Sequence, residues 1–176
     1  YDLGAHMLDQ ALLVFPQAVT SVYCRMHRDF GEDQVESHAM ITLGFANGAT
    51  AVVDTGSMHH TPKPRIQAFG KEGSFVKYGL DPQEEAMKRE EIDTAVNPED
   101  LYGTLTMGKD SQTVETLPGR WRNYYEMIAD HIAGRPLAHK PVRFEETQRV
   151  MSVIDAAFES ARLGQVVHTD ISALDG

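Results

Sequence analysis

The stretch VESHAMITLGFANGATAVVDTGSMH, residues 35–59, consists of two alternating segments joined by a turn signal. In residues 35–45 apolar side chains recur at every second position, so one face of a strand would be buried. Asn47-Gly48 is a strong signal for a two-residue hairpin turn, and residues 49–59 would then run back beside the first strand. The stretch predicts an antiparallel hairpin whose buried face carries Val35, Ser37, Ala39, Ile41, Leu43 and Phe45.

The patterns on either side of this hairpin predict a helix before it and more strands and helices after it. Helices are expected at residues 2–15, 81–91, 120–134 and 143–164, and further strands at 18–28, 65–70, 74–79, 101–107, 112–117 and 165–169. A helix, a run of antiparallel strands and two closing helices form an order typical of α+β folds. We therefore expect a largely antiparallel, open-faced β-sheet with helices packed on one face.

The closing helix and the uncovered face of the sheet give two further expectations. The sheet face opposite the helices would carry polar side chains such as Glu36, His38 and Asp54 with scattered apolar ones. Such a face is either solvated or paired with a copy of the same chain, and we favour pairing. The buried side of the last helix is predicted to contain Phe144, Thr147, Val150, Met151, Ile154, Ala157, Phe158 and Ala161.

The charge of the chain argues against two kinds of partner. Its 176 residues include 16 Lys and Arg against 26 Asp and Glu, a net charge of −10. Nucleic-acid binding depends on phosphate neutralisation and membrane-surface binding on basic segments, so we expect neither partner. No apolar run approaches the ~20 residues that span a bilayer. The single cysteine, Cys24, is expected to be a small buried side chain, which suits a reducing cytoplasm.

The chain opens on YDLGAH without an initiator methionine, which suggests a cut at a domain boundary. Residues 1–168 are expected to form one domain, and residues 169–176 a loose tail. Part of the function would then belong to residues outside this chain.

Asp2, His6 and Asp9 lie on one stripe of the first predicted helix. Two carboxylates on either side of an imidazole would orient the ring and stabilise its positive charge, as general acid–base catalysis requires. The same spacing occurs on solvated helix faces, and these three residues with His59 or His60 could instead hold a metal ion. The spacing alone leaves all three interpretations open.

Two other segments contain candidate site residues. His59 and His60 would point to opposite sides of an extended segment, so at most one could face a site. Tyr124 belongs to an aromatic group at a helix start, which is expected to pack on the sheet unless the tyrosine hydroxyl reaches a substrate. The sequence contains neither the Gly-x-Ser-x-Gly motif of hydrolases nor a Gly-x-Gly-x-x-Gly nucleotide motif.

The segment DLGAHMLDQALLVF, residues 2–15, resembles the Asp-x-Gly-x-His-x-x-Asp helix that opens the C-terminal domain of the glucose–fructose oxidoreductase, inositol dehydrogenase and MocA (Gfo/Idh/MocA) family. AFGKEGSF in the strand-rich middle and YYEMIADHIAGRPLAHKPVRFEETQRVMSVIDAAFESARLGQVV near the end are similar to the rest of that domain. The resemblance covers residues 1–168. It implies a dihydrodipicolinate-reductase-like C-terminal domain without its Rossmann domain.

The resemblance implies roles for residues of the first helix. His6 would be the general acid–base at a substrate hydroxyl or carbonyl, and Asp2 would orient and charge it. Gly4 would allow close approach of the nicotinamide or of neighbouring backbone. Substrate contacts are expected from Asp9, His59 and Tyr124, and no metal site is expected.

The resemblance also implies a cofactor and partners. NAD or NADP would be bound mainly by an N-terminal Rossmann domain, which would add a lysine to the site. The substrate would be a sugar, a polyol or a related hydroxyl or carbonyl compound, and a homodimer or homotetramer would form through the open sheet. The isolated domain would be inactive as a dehydrogenase. The alternatives are a non-catalytic dimerisation or sensor domain of the same fold, and a metal-assisted lyase or isomerase using Asp2, His6 and His59.

Overall fold

The computed structural model describes residues 2–31 and 33–174, with the side chains of Asp2 and Leu3 outside the described part. The chain divides into two compact units. The first comprises the chain up to His59 together with the segment from Val142 onward, and the second comprises His60–Pro141. The first unit is therefore built from two segments that are far apart in the sequence.

Within the described ranges the chain forms four α-helices and eight strands, and the strands form two sheets. The elements in chain order are α1 (Asp2–Val14), β1 (Val19–His27), β2 (His38–Phe45), β3 (Thr50–Gly56), β4 (Ile66–Phe69), β5 (Ser74–Lys77), α2 (Gln83–Lys88), β6 (Gly103–Met107), β7 (Asp110–Val114), α3 (Arg122–Ile132), α4 (Phe144–Leu163) and β8 (Val167–Ile171). The strand order is β3-β2-β1-β8 in the first unit and β4-β5-β6-β7 in the second. All neighbouring strands are antiparallel. The α+β class with antiparallel sheets is confirmed, but the strands divide into two sheets where we expected one.

The hairpin predicted around Asn47-Gly48 is β2–β3. Gly48 has a φ of 82°, which glycine adopts without steric cost, and Asn47 Oδ1 accepts a hydrogen bond from the Ala49 amide at 3.0 Å. The predicted buried face is confirmed along β2, but Val35 is 81% exposed because it precedes the strand, which begins at His38. The members of that face that are buried are Ser37, Ile41, Leu43 and Phe45.

Helix α4 packs beside α1 on the first sheet, but its buried stripe differs from the predicted one. Phe144 is 74% exposed and Met151 is 43% exposed, although both were expected on the buried side. The stripe centres on Val153, which is fully buried and was not predicted. The buried positions of α4 are Arg149, Val150, Val153, Ile154, Ala157 and Ser160. The rest of α4 is rich in charge, and in the described part of the chain no helix is both long and apolar enough to cross a membrane.

The tail expected from residue 169 is shorter than predicted. Strand β8 continues to Ile171, which pairs with Val19 of β1, and the Thr169 hydroxyl donates to the Val19 carbonyl. Beyond the strand, the Leu174 amide donates to the Pro16 carbonyl at 3.2 Å. The end of the described chain thus completes the first sheet, because β8 is its edge strand.

In the second unit, the side chain of Gln83 links the start of α2 to the start of α3. Gln83 is only 2% exposed. The Gln83 side chain donates to Asp81 and accepts a hydrogen bond from the Trp121 amide at 2.8 Å. Asp81 Oδ1 also accepts from the Gln83 amide at 2.9 Å, although the N-cap position of α2 is Pro82, one residue later than the Asp81 that the sequence favours. Arg122, the first residue of α3, donates to Asp93 at 2.7 Å.

Cys24 lies in the core of the first unit and is fully buried, as predicted. Burial, and to a smaller extent the charge of Glu36, raise the pKa of the Cys24 thiol to about 11.

Because the thiolate is the reactive form, we expect Cys24 to react with a thiol reagent at pH 8 at least ~100-fold more slowly in the folded protein than in urea. Mass spectrometry of the peptide that contains Cys24 measures both rates. Equal rates in the folded and unfolded states would contradict the burial of this thiol.

Candidate active site on the first helix

The rotation of α1 determines which of its side chains face solvent. Leu8 and Leu12 are 1% and 4% exposed and lie in the core of the first unit. His6 and Asp9 lie on the exposed side of the same helix. Since the burial of two leucines four residues apart fixes the helix orientation, His6 faces outward from a rigid element. A residue that exchanges a proton with a substrate requires such an accessible position.

The carboxyl group of Asp9 interacts electrostatically with a glutamate of α4, Glu146. Burial of the Asp9 carboxyl group and then the charge of Glu146 raise the pKa of Asp9, while His6 lowers it. Glu146 is itself fixed, because its Oε2 accepts a hydrogen bond from the Arg143 amide at 2.7 Å at the N-terminus of α4. The structure therefore brings His6, Asp9 and Glu146 into one group of interacting charges. Glu146 was not among the predicted site residues.

The other two residues predicted on α1 have different outcomes. The side chain of Asp2 lies outside the described part of the chain, so its pairing with His6 remains a prediction. Gly4 is within α1, and among the described residues a Cβ atom built there would meet only the Thr55 methyl group at 3.9 Å, an ordinary contact. These described surroundings do not require a glycine at position 4, so its role stays a prediction.

A buried arginine on α4 holds the C-terminal end of α1. Arg149 is 4% exposed, and its guanidinium group donates to the carbonyls of Leu12, at 3.3 Å, Phe15, at 3.3 Å, and Gln17. A cation is favourable there because the carbonyls at the end of a helix carry partial negative charge. Sequence reasoning missed this role. The available signal was an arginine next to Val150 on a stripe that also contains Val153 and Ile154.

An apolar cavity of about 370 Å³ lies inside the first unit, beside the first turns of α1. Its lining combines mostly apolar side chains, such as Leu8, Ile41, Ile154 and Phe158, with Glu36, Ser37, His38 and Thr55. A polyol needs a hydrogen-bond partner for each buried hydroxyl group, and the mostly apolar surface of this cavity is less suited to it than the exposed side of α1. The outward face of α1 is therefore the better candidate site.

His59 does not lie near His6. Its Nε2 is 3.6 Å from Asp54 Oδ1, and the Nε2 of His38 is 2.8 Å from the same oxygen. Val53 is buried towards α1 and α4, so the alternation of β3 places Asp54 on the opposite, open face of the sheet. The predicted metal site that combined His59 with residues of α1 is therefore not assembled.

Tyr124 belongs to the second unit, near the start of α3. It is 56% exposed, and its ring meets that of Tyr125 edge to face at a centroid distance of 5.3 Å. Tyr125 is 70% exposed and Trp121 is 41% exposed. The expected packing of this aromatic group on the sheet is therefore not observed, and a substrate contact by Tyr124 remains a prediction.

The chemistry available on the outward face of α1 is proton transfer. His6 is accessible, the carboxyl group of Asp9 on the same side of the helix has a raised pKa, and the charge of the anchored Glu146 contributes to that shift. The sequence contains no Gly-x-Gly-x-x-Gly motif of the kind that binds dinucleotides. The fold and these residues define an α+β domain with an accessible histidine and an interacting carboxylate on its first helix.

Comparison with known proteins identifies that class of domain. The chain belongs to the Gfo/Idh/MocA oxidoreductase family: residues 1–169 match the model of its C-terminal alpha/beta domain. The resemblance noted in the sequence is thus confirmed, as is the fold class.

Three relatives show how close the similarity is. Scyllo-inositol 2-dehydrogenase (NADP(+)) IolW of Bacillus subtilis is 37% identical over 173 residues, which cover 92% of this chain and 46% of IolW. The uncharacterized oxidoreductase YdgJ of Escherichia coli is 33% identical over 92% of this chain and 47% of its own length. The solved structure of the Bacillus subtilis protein yvaA has a TM-score of 0.85 and 30% identity, and the match covers 96% of this chain and 51% of that one. The chain spans about half the length of the curated relatives that it matches.

Proposed function

We propose that the protein containing this chain is an NADP- or NAD-dependent dehydrogenase of an inositol, another polyol or a sugar. In this proposal the chain supplies the proton-transferring side chains, and an N-terminal Rossmann domain binds the cofactor. The observation that carries the proposal is the position of His6, which is exposed on a helix fixed by the core, in a chain 37% identical to an NADP-dependent scyllo-inositol dehydrogenase.

Three side chains of α1 have distinct parts in the proposed reaction: Asp2, His6 and Asp9. When bound, NADP or NAD would supply the hydride acceptor for the oxidation of a secondary alcohol. A ring nitrogen of His6 takes the hydroxyl proton, and it returns this proton when a ketone is reduced. Asp2 would orient the imidazole and balance its charge, a role that rests on its spacing from His6. Asp9 is proposed to contact the substrate, because it lies on the same exposed side of α1 as His6 and interacts electrostatically with it.

The open face of the first sheet is the proposed oligomer interface. Val52 and Met40 on this face are 60% and 40% exposed, and no helix of the first unit covers them. Apolar side chains in such a position favour pairing with a second copy of the same surface. The number of copies and the compartment remain parts of the proposal, with the cytoplasm favoured by a single buried thiol.

The first test is the turnover of the full-length protein with a panel of inositols, linear polyols and aldoses. Each compound is offered with NADP⁺ and with NAD⁺, and the matching ketones are offered with the reduced cofactors. We expect kcat/KM to be highest for one class of compound and one cofactor, with an inositol and NADP⁺ as the leading pair. Absence of turnover in both directions with every compound would overturn the proposal and favour a non-catalytic role for this domain.

A further inference from the structure

We propose that His38, Asp54 and His59 form a binding site for a divalent transition-metal ion, for which Zn²⁺ is the probe. The site is separate from α1 and lies at the margin of the open face of the first sheet, where β2 begins and β3 ends. Each of the three residues offers one ligand atom, and these atoms all lie within 4.8 Å of one another. Two imidazoles and a carboxylate are donors that such ions prefer.

The distances are close to those of a metal site. In a tetrahedral zinc site with bonds of ~2.0–2.2 Å, neighbouring ligand atoms are about 3.4 Å apart. The two imidazole nitrogens lie 2.8 and 3.6 Å from the same oxygen of Asp54. Small side-chain rotations therefore suffice to place all three atoms around one ion. Three protein ligands leave the fourth position for water or a small ligand.

The backbone of β3 makes room for the His38 ring. Gly56 is paired with His38, and a Cβ atom at position 56 would lie 2.8 Å from Cδ2 of the His38 ring and 3.0 Å from the Ser37 carbonyl. Only glycine lets the ring lie across the neighbouring strand towards Asp54. On the other side, the His27 ring stacks on His38 at a centroid distance of 5.5 Å. His38 is therefore oriented from both sides before any ion binds.

The ligands are accessible and come from separate segments. The side chains of His38, Asp54 and His59 are 27%, 39% and 31% exposed, so an ion can reach them from solution. His59 lies beyond the end of β3, at the border of the first unit. Bound metal would fasten the segment that leaves β3 to the start of β2.

The test measures Zn²⁺ binding by the full-length protein after removal of metal with a chelator. Equilibrium dialysis of the wild type is compared with His38→Ala, His59→Ala and Asp54→Asn, and Co²⁺ absorption reports the geometry of the site. His60→Ala is the matched control, because His60 is an exposed histidine next to the proposed ligand. Far-UV circular dichroism verifies that each variant is folded.

We expect the wild type and His60→Ala to bind one more Zn²⁺ per chain than the three ligand variants do. Loss of an outer partner of a metal ligand typically weakens binding by about 10–100-fold, so loss of a ligand should weaken it by at least that much. Asp54→Asn retains the size of the side chain and a hydrogen-bond acceptor, so its failure to bind separates metal coordination from simple packing. Equal Zn²⁺ binding by all five proteins, or none by the wild type, would overturn the proposal.

Discussion

Replacing His6 by alanine in the full-length protein is expected to lower kcat/KM by about 10²–10⁴-fold, the usual contribution of a positioned general acid–base. The helix should be unaffected, because His6 is exposed and the core contacts of α1 come from Leu8 and Leu12. The loss should appear mainly in kcat, since proton transfer belongs to the transition state. Steady-state rates with the best substrate from the panel measure this effect.

The matched control for His6 is His139→Ala. His139 is exposed in the segment between α3 and α4 and is none of the proposed site or interface residues. Its removal should therefore leave the rate unchanged. His6→Asn tests whether the shape of the side chain is sufficient, and it should be as slow as His6→Ala. If His6→Ala retained the full rate of an enzyme that the panel shows to be active, α1 would support the site without transferring protons.

Replacing Arg149 by methionine is expected to lower the stability of the first unit by about 2–4 kcal/mol. The change leaves the carbonyls of Leu12, Phe15 and Gln17 without the donor that they share, a buried one at Leu12 and partly buried ones at Phe15 and Gln17. The expected loss is less than the sum of three charged hydrogen bonds, because burial lowers the pKa of Arg149 and its Nε has no partner among the described residues. Methionine retains much of the apolar volume, so the cost of a cavity is small.

Hydrogen exchange of the β1 peptide gives this free energy locally, since two compact units need not unfold together. Arg162→Met is the matched control on the same helix, because Arg162 is 66% exposed in its side chain and pairs with Glu159 at the surface. Exposed ion pairs contribute ~0–1 kcal/mol, so the control should remain close to the wild type. Similar protection factors in the two variants would contradict the anchoring role of Arg149.

The local structure of this chain could be predicted because it follows from the spacing of apolar residues and from turn chemistry. The β2–β3 hairpin is the clearest case, since Asn47-Gly48 fixes the turn and alternation fixes the buried face. The buried face of α4 was harder to predict, because Arg149 and Ser160 occupy core positions that composition assigns to the surface. The division into two sheets was also missed, because strand periodicity contains no information about which strands are partners.

The candidate site could likewise be predicted only in those parts that depend on local sequence. The positions of His6 and Asp9 on one side of α1 follow from helical periodicity, and their interaction with each other was predictable from the sequence. The influence of Glu146 on Asp9 depends on how α4 packs against α1, which periodicity does not determine. Likewise, His38 and Asp54 are 16 residues apart, and they meet because the register of β2 and β3 makes them diagonal neighbours, with His38 opposite Gly56 and Asp54 opposite Met40.

The discontinuous first unit has a consequence for how the protein is made. Strands β1 to β3 leave the ribosome before the 82 residues of His60–Pro141, and α4 and β8 follow them. At about 5–20 residues per second, synthesis of these 82 residues takes roughly 4–16 s. During that interval Val22 and Leu43, both fully buried in the finished fold, lack the cover that α4 adds beside α1, and β1 lacks the edge partner β8. A nascent chain of this protein therefore covers the apolar face of β1 to β3 fully only after α4 has been made. A chain whose synthesis stops between Pro141 and Gly164 would keep part of that face exposed and would be prone to aggregation.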